Sequence, residues 1–278
     1  MINLLEFRFD KYTSTGNDGI IEQIFKILEV KKGFFVEFGA WDGIHGCNSR
    51  KLCEEGWSGI FIEPILRRYL KLYWNYRQNI SVKTIWSIVS TNGKNSFDCI
   101  MDRSSVNFEV DFCSIDIDGQ DVEVFENFEK HLPKVVCIEG GQMLHPFYDR
   151  IPSEVASNNI QQSLSVIAEI GRKKGYEPVC SYQDTFLVKN ELYDKFDVTQ
   201  DLVKMYFNGL KVHHRRLPWI QKKLSEVNMQ NPIVDDILNK SGFEKYGYHK
   251  RKQWSIDVSD IIDNIIEERY VFETKFTN

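Results

Sequence analysis

Apolar positions along the chain alternate between two rhythms. Ile20, Ile21, Ile24, Phe25, Ile27 and Leu28 recur at helical spacing, which predicts an amphipathic helix over Asp18 to Val30. Phe34 to Phe38 is then an apolar run, broken by Glu37 alone, suited to a strand buried on both faces of a parallel sheet. The alternation continues with a second strand ending at Glu63, a helix near Arg67 to Tyr76 and a strand over Ile80 to Val89 before the turn Thr91-Asn92-Gly93. A fourth strand over Asp111 to Ile117 follows, then a helix from about Asp121 to His131, closed by Pro133, and the strand Val135 to Ile138. Ile160 to Gly175 reads as a helix with Leu164, Ile167, Ala168 and Ile170 on its apolar side. Tyr176 to Cys180 and Thr185 to Val188, parted only by Ser181 to Asp184, predict a hairpin rather than another crossover. Strands alternating with helices predict a doubly wound α/β sheet. From about Asp201 the pattern turns helical and polar, dividing a main domain (1–200) from a helical extension (201–278) whose last helix runs around Asp257 to Phe272.

A chain of 278 residues, 42% hydrophobic, 13% aromatic and 27% charged, is long enough for one large core with an appendage. Its formal net charge of −5 argues against holding nucleic acid by general electrostatics. The six cysteines, at 47, 53, 99, 113, 137 and 180, form no C-x-x-C pair and read as reduced core residues. The N-terminus carries Glu6 and no long apolar stretch, and no run of 18 apolar residues occurs, so a cytoplasmic protein without a membrane span is expected. In the extension, Lys211, His213, His214, Arg215 and Arg216 form a basic cluster that reads first as a solvated helix face. Its functional alternative is recognition of a phosphorylated or nucleotide-linked acceptor. The last helix is a candidate homodimer face.

Chemistry concentrates in Lys31 to Pro64, a strand, glycine-bearing loop, helix and second strand. Gly39 and Gly43 permit close approach of backbone to a ligand. Trp41 stands where a dinucleotide fingerprint would have its middle glycine, and Asp42 inside the loop would repel a pyrophosphate. Glu37 and Asp42 suit a cationic cofactor instead, and S-adenosylmethionine (SAM) carries both a sulfonium and an ammonium. Glu63, 24 residues beyond Gly39 at the end of the next strand, is placed to accept both ribose hydroxyls.

Further on, DFCSIDIDGQD sets Asp116 and Asp118 two residues apart, on one side if both are in a strand, and VVCIEGG ends the neighbouring strand in Glu139. In open α/β sheets ligands bind at the carboxyl ends of strands, so the three acids are expected to converge beside the cofactor. An alcohol acceptor must lose its proton during methyl transfer, and Asp118 is the preferred base, with Asp116, Glu139 and His145 as further catalytic candidates. Asp116 and Glu139 also offer hard oxygen ligands to Mg²⁺, which would relieve the crowding of like charges.

With these residues assembled, the chain resembles the FkbM-like SAM-dependent methyltransferases over about Tyr12 to Leu192. The resemblance rests on VEFGAWDG, FIEP, SIDIDG and VVCIEG in that order, followed by a helix and the hairpin ending DTFLVKN. It implies a Rossmann-like, seven-stranded class I methyltransferase sheet with the helical extension appended, and O-methylation of a sugar or other small hydroxylated acceptor. It implies that Glu37, Gly39, Ala40, Asp42 and Gly43 surround the methionine and ribose of SAM and that Glu63 takes the ribose hydroxyls. Trp86 and Ser87 would lie against the adenine, Asn48 would meet the cofactor carboxylate, and Asp116 would sit by the methionine end or a metal. The chain departs from the family pattern at TSTGNDGII, where Ser14 replaces a glutamine and Asn17 a glutamate, and at Gly140 and Gly141, where metal-dependent sugar methyltransferases carry paired aspartates.

The expected function is therefore SAM-dependent O-methylation of a carbohydrate hydroxyl, on a sugar nucleotide or surface-polysaccharide unit. Transfer to a lipid, a polyketide or a phosphate-type oxygen is the alternative within the same chemistry. An NAD-dependent oxidoreductase and a non-catalytic interaction protein on the same fold are the rivals from other classes.

Overall fold

The computed structural model describes residues 1–104, 108–156, 158–243 and 258–273. Seven segments form one sheet: β1 (Phe34–Phe38), β2 (Ser58–Glu63), β3 (Val82–Trp86), β4 (Phe112–Ile115), β5 (Val135–Glu139), β6 (Tyr176–Ser181) and β7 (Asp184–Lys189). Their spatial order is β3-β2-β1-β4-β5-β7-β6. β7 runs antiparallel to both neighbours and the other pairings are parallel. This is the Rossmann-like, doubly wound seven-stranded sheet expected from the sequence, with its terminal hairpin. The winding direction reverses between β1 and β4, which opens a crevice at their carboxyl ends.

The helices are α1 (Asn17–Ile27), α2 (Arg50–Glu54), α3 (Leu66–Tyr76), α4 (Phe97–Arg103), α5 (Asp121–Glu126), α6 (Ser153–Ala156), α7 (Leu164–Lys173) and α8 (Asn190–Tyr193). The extension adds α9 (Leu202–Val212), α10 (Leu217–Glu226), α11 (Pro232–Lys240) and α12 (Ser259–Glu273). Because strand side chains alternate, β1 sends Phe35 to the core under α1 and α2, while Phe34, Val36 and Phe38 join the core under α4, α5 and α7. A third core joins the extension to the segment between β5 and α7, where Met143, Leu144 and Ile160 meet Tyr206, Leu210, Ile220 and Ile237. On α12, Ile262 and Ile265 are buried in this same core, with Ile261 and Ile266 packed against it. Among the described residues, no helix is long and apolar enough to cross a membrane.

Several predicted boundaries contract, and α4 and the short helices α6 and α8 have no counterpart among the predicted elements. The third strand stops at Trp86 instead of Val89, and α4 follows, capped by Ser96, whose hydroxyl accepts from the Cys99 amide. Exposed Cys99 on this helix departs from the expectation that every cysteine is a core residue; the other five are buried. α5 ends at Glu126 rather than His131, since Asp98 accepts the Glu129, Lys130 and His131 amides and draws that segment away. α7 begins at Leu164 rather than Ile160 because the Ser163 side chain caps it and residues 160–163 stay extended beside the site. The predicted start of the last helix at Asp257 lies outside the described residues.

Candidate active site

The carboxyl ends of β1, β2, β4 and β5 open into a cavity of about 420 Å³. Gly39 and Trp41 line it after β1, Glu63 to Ile65 after β2, Asp116 to Asp118 after β4 and Glu139 at the end of β5. Gln183 and Asp184 enter from the hairpin, and Thr13, Ser14, Thr15, Asn17 and Asn48 close another side. Gly39 is what brings the two central loops together. Its φ is +69°, and a Cβ there would lie 1.8 Å from the Asp116 carbonyl oxygen, so only glycine allows the two backbones to touch.

At one end of the cavity, buried Glu63 accepts the Trp41 amide on Oε2 (3.0 Å) and the Ile65 amide on Oε1 (2.8 Å). These bonds orient the carboxylate and leave each oxygen lone-pair capacity toward the cavity. At the other end, one oxygen from each of Asp116, Asp118 and Glu139 lies within 4.8 Å of the others. The strand ends at Ile115, so the convergence of Asp116 and Asp118 comes from a loop rather than from strand alternation. Asp118 adopts a left-handed φ of +58°. That conformation is held by Asp121, whose Oδ1 accepts the Ile117 amide (2.7 Å) and whose Oδ2 accepts the Gly119 amide (2.9 Å). The Asn159 amide donates to Asp118 Oδ1 at 3.3 Å.

Charge is crowded here. Asp116 opens to the cavity's solvent, but protein encloses its other sides, and this desolvation, with Asp121, Asp184, Asp118 and Glu37 nearby, raises its pKa well above the usual carboxylate range. Glu139 is buried and raised likewise, by burial first and then by Asp116, Asp121 and Asp184, with Arg216 opposing. Burial pushes Asp121 and Asp184 up to about 6 each. Gln161 Nε2 donates to Glu139 Oε1 at 2.7 Å, and the Arg216 guanidinium stands 4.0 Å from the same oxygen. Glu139 Oε2 is buried without a hydrogen-bond partner. A hard oxygen set with one orphaned acceptor fits a divalent cation.

The remaining predicted residues divide. Asn48 reaches the cavity, accepting from Asn17 Nδ2 (2.9 Å) and donating to Ser114 Oγ (2.9 Å). Glu37 faces away, accepting the Asn48 (3.0 Å) and Ser49 (2.7 Å) amides and the Cys47 thiol, so it shapes the loop rather than the cavity wall. Asp42 also turns from the cavity, accepting the Ile44 and His45 amides at 3.0 Å, with His45 Nδ1 2.9 Å from its other oxygen. Gly43, with φ of +72°, makes room for the Tyr76 ring, and Ala40 is buried beneath the loop. Trp86 donates to the Pro64 carbonyl (2.9 Å) and Ser87 to the Ile88 carbonyl (2.8 Å), near the cavity without lining it. His145 is not brought to the acids. Its ring packs against Phe147, Tyr206 and Phe207, in a separate depression with Tyr148 and Pro232.

Three contributors escaped the sequence reading. Asn17 donates to Asn48 and to Asp184 Oδ2 (2.7 Å) while accepting from the Tyr182 hydroxyl. Asp184 begins β7 directly opposite Glu139, a pairing implied by the antiparallel register once the hairpin is drawn. Arg216 comes from the basic cluster, which is not a solvated face: Arg216 is mostly enclosed and stacks 4.3 Å over Trp219, His213 is half-buried, and Lys211 pairs with Asp263.

No family model matches the chain, and no curated protein matches it. Solved structures with a similar chain course include a protein assigned as a sarcosine dimethylglycine methyltransferase from Galdieria sulphuraria. It shows 10% identity, covers 92% of this chain and 87% of its own, and has a TM-score of 0.40. A TehB-like SAM-dependent methyltransferase from Corynebacterium glutamicum (10% identity, 64% and 86% covered, TM-score 0.38) and a SAM-dependent methyltransferase from Aquifex aeolicus (12% identity, 60% and 86% covered, TM-score 0.37) are similar in the same way.

Proposed function

We propose that this chain is a SAM-dependent O-methyltransferase acting on a carbohydrate hydroxyl. The observation that carries the reading is the sign of the cavity: Glu63, Asp116, Asp118, Glu139 and Asp184 line it, against Arg68 and His45. Such a wall attracts a cofactor bearing a sulfonium and an ammonium and repels the pyrophosphate of a dinucleotide. Glu63 is the ribose ligand in this reading, and Asn48, Asn17 and Asp116 face the methionine end.

SAM, when bound, supplies a methyl group on a positively charged sulfur. Asp118 would accept the proton of the acceptor hydroxyl as that oxygen takes the methyl group. Asp121 fixes the loop so that the Asp118 carboxylate is presented without reorganisation. Asp116 and Glu139 would hold a divalent cation, whose positive charge would make a nearby hydroxyl more acidic. The polar rim of Thr13, Ser14, Thr15 and Gln183 supports a polyol acceptor over a lipid or polyketide, and Arg216 beside the acids supports a role for the extension in acceptor binding.

Thermal unfolding with SAM, S-adenosylhomocysteine or NAD, each with and without Mg²⁺, tests the cofactor. A ligand at one hundred times its dissociation constant stabilises by about 2.7 kcal/mol. Stabilisation by the first two and not by NAD is expected, followed by transfer of labelled methyl from SAM to a sugar-nucleotide or polysaccharide fragment. Stabilisation by NAD alone would sink the reading.

A further inference from the structure

The outer side of α3 is unlike the rest of the surface. Of its eleven residues only Leu72 and Tyr76 are buried, an unusually thin anchorage for a helix flanking a sheet. Arg67, Leu70, Lys71 and Trp74 recur at helical spacing on the exposed side, with Trp74 59% exposed. Among the described residues, eight of the fifteen exposed large apolar side chains fall between residues 65 and 88. The neighbouring edge strand β3 joins this face, since Tyr69 stacks on Trp86 at 6.4 Å. The charge is equally one-sided: residues 64–97 hold six basic side chains and no acid, in a chain of formal net charge −5.

We propose that this face docks the protein on an anionic lipid bilayer, lying on the surface rather than crossing it. Tryptophan and tyrosine favour the headgroup level, exposed leucine and isoleucine favour the acyl boundary beneath it, and arginine and lysine attract anionic headgroups. The aliphatic members, Leu66, Leu70 and Ile88, distinguish this chemistry from a nucleic-acid face, which the overall negative charge also opposes. A second copy is the poorer occupant, because a twofold contact would set the same basic residues against each other. The proposal stands apart from the reading of the cavity. Ile65 and Arg68 belong to both the basic apolar face and the cavity lining, so an acceptor carried on a lipid would meet the site at its mouth.

The test is co-sedimentation of the full chain with phosphatidylcholine vesicles, with and without phosphatidylglycerol, read together with tryptophan emission. Binding only to anionic vesicles, weakened by salt and accompanied by a blue shift, is expected. Arg67→Gln with Lys71→Gln should lower the partition coefficient about 25-fold, at about fivefold per basic residue. Leu70→Ser with Trp74→Ser should abolish the blue shift, and both variants should keep a cooperative melt because these side chains are exposed. Equal binding to neutral vesicles, no binding at low salt, or variants that sediment like wild type would overturn the proposal. So would an oligonucleotide, or self-association, that the same substitutions abolish while vesicle binding persists.

Discussion

Replacing Asp184 by asparagine tests whether the cavity holds its charge at the expense of stability. Asp184 is 5% exposed, and burial pushes its pKa up to about 6 although Asn17 and Arg216 act to lower it. Relative to the ordinary value of 3.8, the folded state therefore holds this proton more tightly than the unfolded chain does. Between about pH 4 and pH 6 the native state binds the extra proton, so its stability falls as pH rises through that window. Below it both states are protonated and the penalty vanishes; above it the whole shift counts, about 3 kcal/mol at most. Asparagine removes the charge and keeps an oxygen to accept the Asn17 amide, which donates at 2.7 Å in the wild type. Asp184→Asn should gain about 2 to 3 kcal/mol at pH 7.5 and almost nothing at pH 4, measured by urea unfolding at both values. An increment independent of pH, or a variant no more stable than wild type at pH 7.5, would refute the reasoning.

Three further outcomes probe the other corners of the site. Glu63→Gln should weaken SAM by at least tenfold in calorimetric titration, as expected for loss of charge-assisted bonds of about 1.5 to 3 kcal/mol. Asp118→Asn should lower kcat by about 10² to 10⁴ while leaving the SAM dissociation constant near its wild-type value; an unchanged kcat would remove Asp118 as the base. Gly39→Ala puts a Cβ 1.8 Å from the Asp116 carbonyl at a φ of +69°, so the melting midpoint should drop and SAM stabilisation should disappear. A variant that melts like wild type would show that the two loops can part without harm.

The architecture was legible because its signals are local. A buried parallel strand announces itself as an apolar run, so β1 was bounded from sequence, and two runs four residues apart announced the hairpin. Helix ends were read less well where a side chain from elsewhere decides them: Asp98 captures the amides at 129–131, and Ser163 caps α7 only after residues 160–163 have been drawn toward β5. The site shows the same division. Asp116, Asp118, Glu139 and Glu63 could be placed from the ends of strands. Glu37 and Asp42 could not, because both were read as facing a ligand while nearby backbone amides satisfy them. Acids in a tight glycine-bearing loop have two outlets, ligand or backbone, and residue type alone does not separate them. Asn17 and Arg216 lay beyond reach for another reason: each meets the acids across a separation in sequence that only the finished fold closes.

Arg216 also carries the extension's positive charge to the acids. Acids as crowded as Asp116, Glu139 and Asp184 require positive charge or protons to coexist, and among the described residues Arg216 is the cation whose field acts on all three. At 4.0 Å from Glu139 it is close enough to moderate the repulsion, yet Glu139 Oε2 is left with no partner. The cluster beside the cavity therefore keeps a buried acceptor that no protein donor satisfies. A cationic ligand would gain twice there, from direct attraction and from relief of the repulsion among the three acids. On the proposed reading, stability near neutral pH is exchanged for affinity toward positive charge, and Asp184→Asn should recover the first while losing part of the second.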